Sequence, residues 1–235
     1  MVAPARAPTS HSPSVSWRTD FIRIYLERDV PMFAPRMPAE TIGRLWTMLA
    51  NGQGSLLNQS RLAGSLGVSA PTVGRYIDLL VDLLLVRRLQ PWSGNTGKRL
   101  VRSPKIYVRD SGVLHALLEL MTWNDIAGHS VIGPSWEGFV IENLIAATKE
   151  RSMPYFYRTE DGAEIDLVLE RGGKLHAAVE IKRNSAPRAA KGFWMACESL
   201  GIKRRFVVYP GTERFPLGVG VQATPLLELV RELSV

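Results

Sequence analysis

The chain has 235 residues, 46% of them apolar and 22% charged, with a formal net charge of +7. That is the composition of a globular protein with room for one large domain or two small ones. Its single cysteine, Cys197, excludes an internal disulfide framework and a Cys-rich zinc site and fits a reducing, cytoplasmic setting. No apolar run reaches transmembrane length, so no membrane is expected.

Residues 1–16, MVAPARAPTSHSPSVS, lack the apolar core of a signal peptide and read as a disordered leader. Over 17–29, Phe21, Ile24 and Tyr25 recur at helical spacing, and Pro31, Pro35 and Pro38 are expected to stop that helix. A second helix over 39–50 puts Ile42, Leu45, Trp46 and Leu49 on one face before Asn51-Gly52-Gln53-Gly54 ends it.

The stretch 58–85 carries a small motif of its own. A short helix, a glycine turn and Ser69 as N-cap lead into a second helix with Pro71 in its first turn. Leu62, Ala63, Leu66, Val68, Val73, Ile77 and Leu80 fall where the two helices of a helix-turn-helix pack together. Residues 84–89 then read as the end of the helix running into a strand, 91–99 as a turn-rich loop with a basic tip, and 105–108 as a return strand, the layout of a wing. Between Val86 and Arg109 stand seven basic residues and no acid. Such a patch suits a polyanion such as nucleic acid, or is simply a solubilising surface. The string Gly94-Asn95-Thr96-Gly97-Lys98 lacks phosphate-loop spacing, so nucleotide hydrolysis by this chain is not expected. A helix over 110–120 closes a first domain at 17–128, and a second spans 129–235.

In the second domain an apolar stripe of Trp136, Phe139, Val140, Ile141 and Leu144 predicts a helix, with Glu137 at the stripe's edge, able to face inward. Strands follow at 155–158, 165–169 and 175–181, then a helix over 189–200, a strand at 205–210 and a last helix over 225–233. The order α-β-β-β-α-β-α is a mixed α/β layout. Gly172-Gly173 supplies a hairpin turn. Antiparallel pairing through it sets Asp166 beside Glu180, while Lys182 shares Glu180's face because side chains alternate. Two carboxylates and an ammonium at the edge of a buried sheet suit a hard cation, Mg²⁺ or Mn²⁺. The plainer alternative is a surface hairpin with an ordinary ion pair.

The motifs LAGSLGVSAPTVGRY, GAEIDLVLE and VEIKRN carry two resemblances. The first motif is similar to the helix-turn-helix of winged-helix regulators, which implies that Ser69, Thr72, Arg75 and Tyr76 lie on the exposed face of a recognition helix, with Lys98 and Arg99 on the wing. A helix acid, a strand acid and a Glu-x-Lys after a hairpin resemble the restriction-endonuclease-like PD-(D/E)xK superfamily. By that pattern Glu137, Asp166, Glu180 and Lys182 are catalytic, and Asp166, Glu180 and Glu137 bind metal. Ile165 stands where the pattern has its proline. Together with YLERDVP, KIYVRDSG, SWEGFVIENLI and FVVYPG, the whole resembles the C-terminal half of bacterial and archaeal AAA+-type ATP-binding proteins, whose ATPase module precedes YLERDVP and is absent here. The expectation is a DNA-binding, Mg²⁺- or Mn²⁺-dependent nuclease-like protein, partnered by DNA and by a P-loop ATPase in cis or in trans. The alternatives are a non-catalytic DNA-binding or regulatory module and an assembly module docking on such an ATPase.

Overall fold

The computed structural model describes residues 13–94, 97, 99–149 and 151–234. Most of the expected leader and Lys98 lie outside the described residues. The first helix, α1 (Pro13–Ile24), starts earlier than the expected leader's end. Proline is tolerated in a first helical turn, and Trp17, Phe21 and Tyr25 stack along one side, ring centroids 5.4 and 5.2 Å apart.

Pro31 does not stop this helix. A π-helical turn (Tyr25–Asp29) follows α1, and Pro31 sits in the first turn of α2 (Val30–Phe33). Proline removes an N–H that continued α-helical bonding needs, and the chain widens to a π turn just ahead of it.

The described chain forms two compact units. One runs as far as Arg88 and resumes at Ile106–Ser135; the other comprises Leu89–Lys105 and Trp136–Val235. This differs from a single division after residue 128, because the expected wing tip is tied into the second unit. Gln90 and Pro91 pair in parallel with Tyr155 and Phe156, and the Val101 N–H donates to the Arg158 carbonyl at 3.0 Å.

In the first unit, α3 (Ala39–Asn51), α4 (Gln59–Leu66), α5 (Ala70–Asp82), α6 (Ser111–Leu117) and α7 (Trp123–Gly128) follow one another. Local chemistry sets their ends. Asn58 accepts from the Arg61 N–H and Ser69 from the Thr72 N–H, each cap worth about 1 kcal/mol. Gly67 ends α4 in the left-handed region at φ 67°. Ile42, Leu45, Trp46, Leu49, Val73, Ile77 and Leu80 are buried in one cluster, as the helical spacing predicts.

Among the described residues, eight strands hydrogen-bond in the order β2-β1-β3-β4-β5-β6-β8-β7. They are β1 (Val86–Pro91), β2 (Lys105–Val108), β3 (Met153–Arg158), β4 (Glu164–Arg171), β5 (Lys174–Ile181), β6 (Arg205–Tyr209), β7 (Phe215–Gly218) and β8 (Val221–Pro225). The sheet is mixed: β3–β4, β4–β5 and β7–β8 run antiparallel, β5–β6 and β6–β8 parallel. Helices α8 (Ile132–Ala147), α9 (Lys191–Ser199) and α10 (Leu226–Leu233) complete the chain. The hairpin β7–β8 was not expected; Pro216, Gly218 and Gly220 break its alternation into pieces too short to read.

Gly172 and Gly173, at φ 58° and 73°, make the β4–β5 turn. Beneath the hairpin, Ile165, Val168, Ala178, Phe193, Ala196, Cys197 and Val207 share a buried cluster. Burying each large apolar side chain there contributes about 1.5–3 kcal/mol. On α8, Val140, Ile141 and Leu144 are buried, but Phe139 is 40% exposed, so the apolar stripe is narrower than expected. Among the described residues no helix is long and apolar enough to cross a membrane.

Candidate active site

The site grows from the hairpin register. Leu167 pairs with Val179, and the next step of that register sets Asp166 opposite Glu180. Ile165, Leu167 and Val168 are buried around Asp166, and Glu164, two residues earlier, reaches the same ammonium as Asp166. Asp166 Oδ2 accepts the Ile181 N–H at 2.9 Å, which joins the start of β4 to the end of β5.

Helix α8 supplies Glu137, and its neighbour Trp136 places it. The Trp136 Nε1–H donates to the Lys182 carbonyl at 3.1 Å, pinning α8 to the chain just after β5. Glu180, only 6% exposed, accepts from the Lys182 ammonium at 2.7 Å and from the Ala190 N–H at 3.0 Å.

At the centre stands a residue that sequence reasoning counted only as part of a basic run. The Lys105 ammonium lies 3.2 Å from Glu137 Oε1, 3.0 Å from Glu164 Oε1 and 3.9 Å from Asp166 Oδ1, and its side chain is 5% exposed. It also lies 5.5 Å from the centre of the Phe156 ring. Glu164 was missed as well, although its period-two relation to Asp166 was visible. For Lys105 the signal was weaker: a lysine directly before the apolar Ile106-Tyr107-Val108 is a candidate for burial at a strand's start.

The electrostatics follow from crowding. Burial alone would lower the Lys105 pKa, but Glu137, Asp166 and Glu164 outweigh it and hold the ammonium above its usual range. Burial and the charge of Glu137 push Asp166 up to about 7, with Lys105 and the Ile181 N–H opposing them. For Lys182, burial is outweighed by its hydrogen bond to Glu180 and by the charges of Glu180, Asp166 and Glu137, so its pKa is raised. Arg158 reaches Glu164 from the exposed side at 3.8 Å.

Four carboxylates thus face two ammoniums, and Asp166 is held above the usual carboxylate range first by burial and then by the charge of Glu137. An all-oxygen, net-negative donor set suits Mg²⁺ or Mn²⁺ chemically. Among the described residues, however, no three His, Cys, Asp or Glu side chains already stand in metal-holding array. Glu137 and Asp166 meet through Lys105, while Glu180 is turned to Lys182 and Ala190. The buried Cys197 is no rival nucleophile, since burial pushes its thiol up to about 12.

The residues expected to touch DNA divide. In the first unit, Ser69 and Arg75 are exposed and Thr72 half-buried. Ser69 Oγ and Thr72 Oγ1 are 2.8 Å apart, and Arg75 donates to Thr72 Oγ1 at 3.2 Å. Tyr76 does not belong with them: it is 8% exposed and packed in the core with Val73 and Ile77. Positions 73, 76, 77 and 80 share one helical face, so the tyrosine fills the interior. In the second unit, the Arg99 side chain is 88% exposed, 3.8 Å from Glu160.

Two family models match: a domain of unknown function (DUF8612) over residues 4–124 and a domain of unknown function (DUF4143) over residues 132–229. The latter is a domain found with AAA-type ATPases in some families. Uncharacterized proteins of Mycobacterium tuberculosis (Rv2008c) and Mycobacterium bovis (Mb2031c) are each 42% identical over 232 residues, which is 99% of this chain and 52% of theirs. The chain therefore spans about half the length of the curated relatives it matches. No solved structure matches. With a model covering more than half of its length, the chain belongs to the DUF8612 family.

Proposed function

We propose that this protein acts on DNA, with a helix-turn-helix unit that contacts the duplex and a PD-(D/E)xK-type unit that hydrolyses a phosphodiester with Mg²⁺ or Mn²⁺. The supporting observation is that Glu137, Asp166, Glu180 and Lys182 gather at one end of the β4–β5 hairpin, linked by the Ile181 N–H, the Trp136–Lys182 bond and the Glu180–Lys182 pair. Each comes from the element that the superfamily's pattern assigns to it.

In this reading Asp166, Glu137, Glu180 and the Ile181 carbonyl hold the metal. When bound, a divalent cation supplies Lewis-acid polarisation of the phosphate and a more acidic water. The chain's own part is positioning. Lys182 stays protonated beside Glu180 and offers N–H donors to the incoming water or a phosphate oxygen. Trp136 holds the helix acid at the end of β5. Ser69, Thr72 and Arg75 offer hydroxyls and a guanidinium to the DNA backbone, with Lys98 and Arg99 adding positive charge. The DUF4143 match favours a P-loop ATPase, in cis or in trans, as the partner.

The test is cleavage of supercoiled, linear and branched DNA with Mn²⁺ by the wild-type chain, Asp166→Ala and Lys182→Ala. Loss of cutting in both variants supports the assignment; equal residual cutting by all three marks a contaminant and removes it. Lys105 favours a second reading, a non-catalytic DNA-binding, regulatory or ATPase-docking module, because an ammonium already stands among three of the acids. That reading predicts salt-sensitive DNA binding, lost with Arg75, and no metal-dependent cutting.

A further inference from the structure

We infer that Lys105 is a resident counter-cation that competes with the divalent metal for the carboxylates of the site. The inference rests on the metal-dependent reading above and deepens it. Three acids from two elements, Glu137 on α8 and Glu164 and Asp166 on β4, turn toward one ammonium at 3.0–3.9 Å. Two of the three, Glu137 and Asp166, are metal ligands in that reading. Lys105 therefore stands where three carboxylates converge, and its stem is fixed by burial at the start of β2 rather than free to swing in solvent. Lys182 is differently placed: its ion pair is with Glu180, at 2.7 Å.

Two consequences follow. Metal uptake requires the ammonium to give up Glu137 and Asp166, so Lys105 weakens metal affinity. It can keep Glu164, which is outside the metal set, and so remain beside the site as a second cation once metal is present. Without metal, Lys105 offsets part of the repulsion among three neighbouring carboxylates, so the fold carries its own cation for the empty state.

The experiment uses the full chain and Mn²⁺ itself as probe. Binding is followed by calorimetry and by the loss of free-Mn²⁺ spin signal for wild type, Lys105→Met, Lys105→Gln and the double variant Lys105→Met/Asp166→Asn. Removing one positive charge from direct contact with the donors is expected to tighten Mn²⁺ binding by about tenfold or more in both single variants. The double variant should lose that gain. Melting in a chelator should fall in the single variants and recover with Mn²⁺ by more than in wild type. For the unmodified protein, the ¹⁵Nζ resonance of Lys105 should shift as Mg²⁺ is added, a readout that survives if a variant does not fold. Equal Mn²⁺ affinity with and without Lys105, or an unmoved Lys105 resonance at saturating Mg²⁺, overturns the competition while leaving the nuclease reading standing. No uptake by wild type or by folded variants overturns both.

Discussion

Replacing Asp166 by asparagine should stabilise the protein at alkaline pH while removing the site's function. Asp166 ionises near pH 7 in the fold, against 3.8 for an ordinary aspartate, because it is buried and faces Glu137. The folded state therefore binds the Asp166 proton more tightly than the unfolded chain does. Between pH 3.8 and pH 7 the unfolded chain releases it first, and folding loses stability as pH rises. The accumulated penalty above pH 7 is about 4 kcal/mol. Asp166→Asn abolishes that penalty and keeps an oxygen for the Ile181 N–H. The variant should equal or trail the wild type at pH 4, gain steadily through pH 6 and lead by about 2–4 kcal/mol at pH 8. Urea denaturation at four pH values in a chelator measures it directly. A difference that stays constant with pH would show that Asp166 ionises normally and that the crowding argument is wrong.

Two further outcomes test the fold and the DNA face. A Cβ at Gly192 would lie 2.5 Å from the Gly162 carbonyl oxygen, a backbone atom that cannot swing aside. Gly192→Ala should cost about 1–3 kcal/mol despite the roughly 1 kcal/mol that alanine gains in a helix, as a melting curve would reveal. Arg75→Ala should leave stability within about 0.5 kcal/mol and reduce the salt dependence of DNA binding by about one phosphate contact. Tyr76→Ala should instead lower stability by about 3 kcal/mol, as for other buried aromatics, and affect DNA binding only through unfolding.

The elements that could be read from the chain are those whose chemistry is local. Asn58 and Ser69 cap helices through N–H groups three residues on, and Gly172-Gly173 turns a hairpin through backbone freedom that no other residue pair has so cheaply. From that turn, alternation puts Lys182 on Glu180's face, but an unbroken register would set Asp166 opposite Val179; the one-residue slip between Leu169 and Glu170 is what carries Asp166 toward Glu180. Helical spacing likewise marked Ile42, Leu45, Trp46 and Leu49 as interior. Tyr76 went astray because its i and i+4 neighbours were outweighed by a motif resemblance that put it outside. Hairpin β7–β8 escaped because its proline and glycines interrupt the alternation that identifies strands.

The acidic hairpin and its lysine were therefore legible in the order of residues, except for the slip in register that sets which residues face each other. Which cation the acids meet was not. Lys105 lies 32 residues before Glu137 and 61 before Asp166 in a run of positive charge that reads as solvated surface. Only the folding of β2's first residue against α8 and β4 withdraws it from water and sets it among three carboxylates. Burial and long-range pairing belong to tertiary structure, and they turned a surface lysine into the cation at the centre of the site.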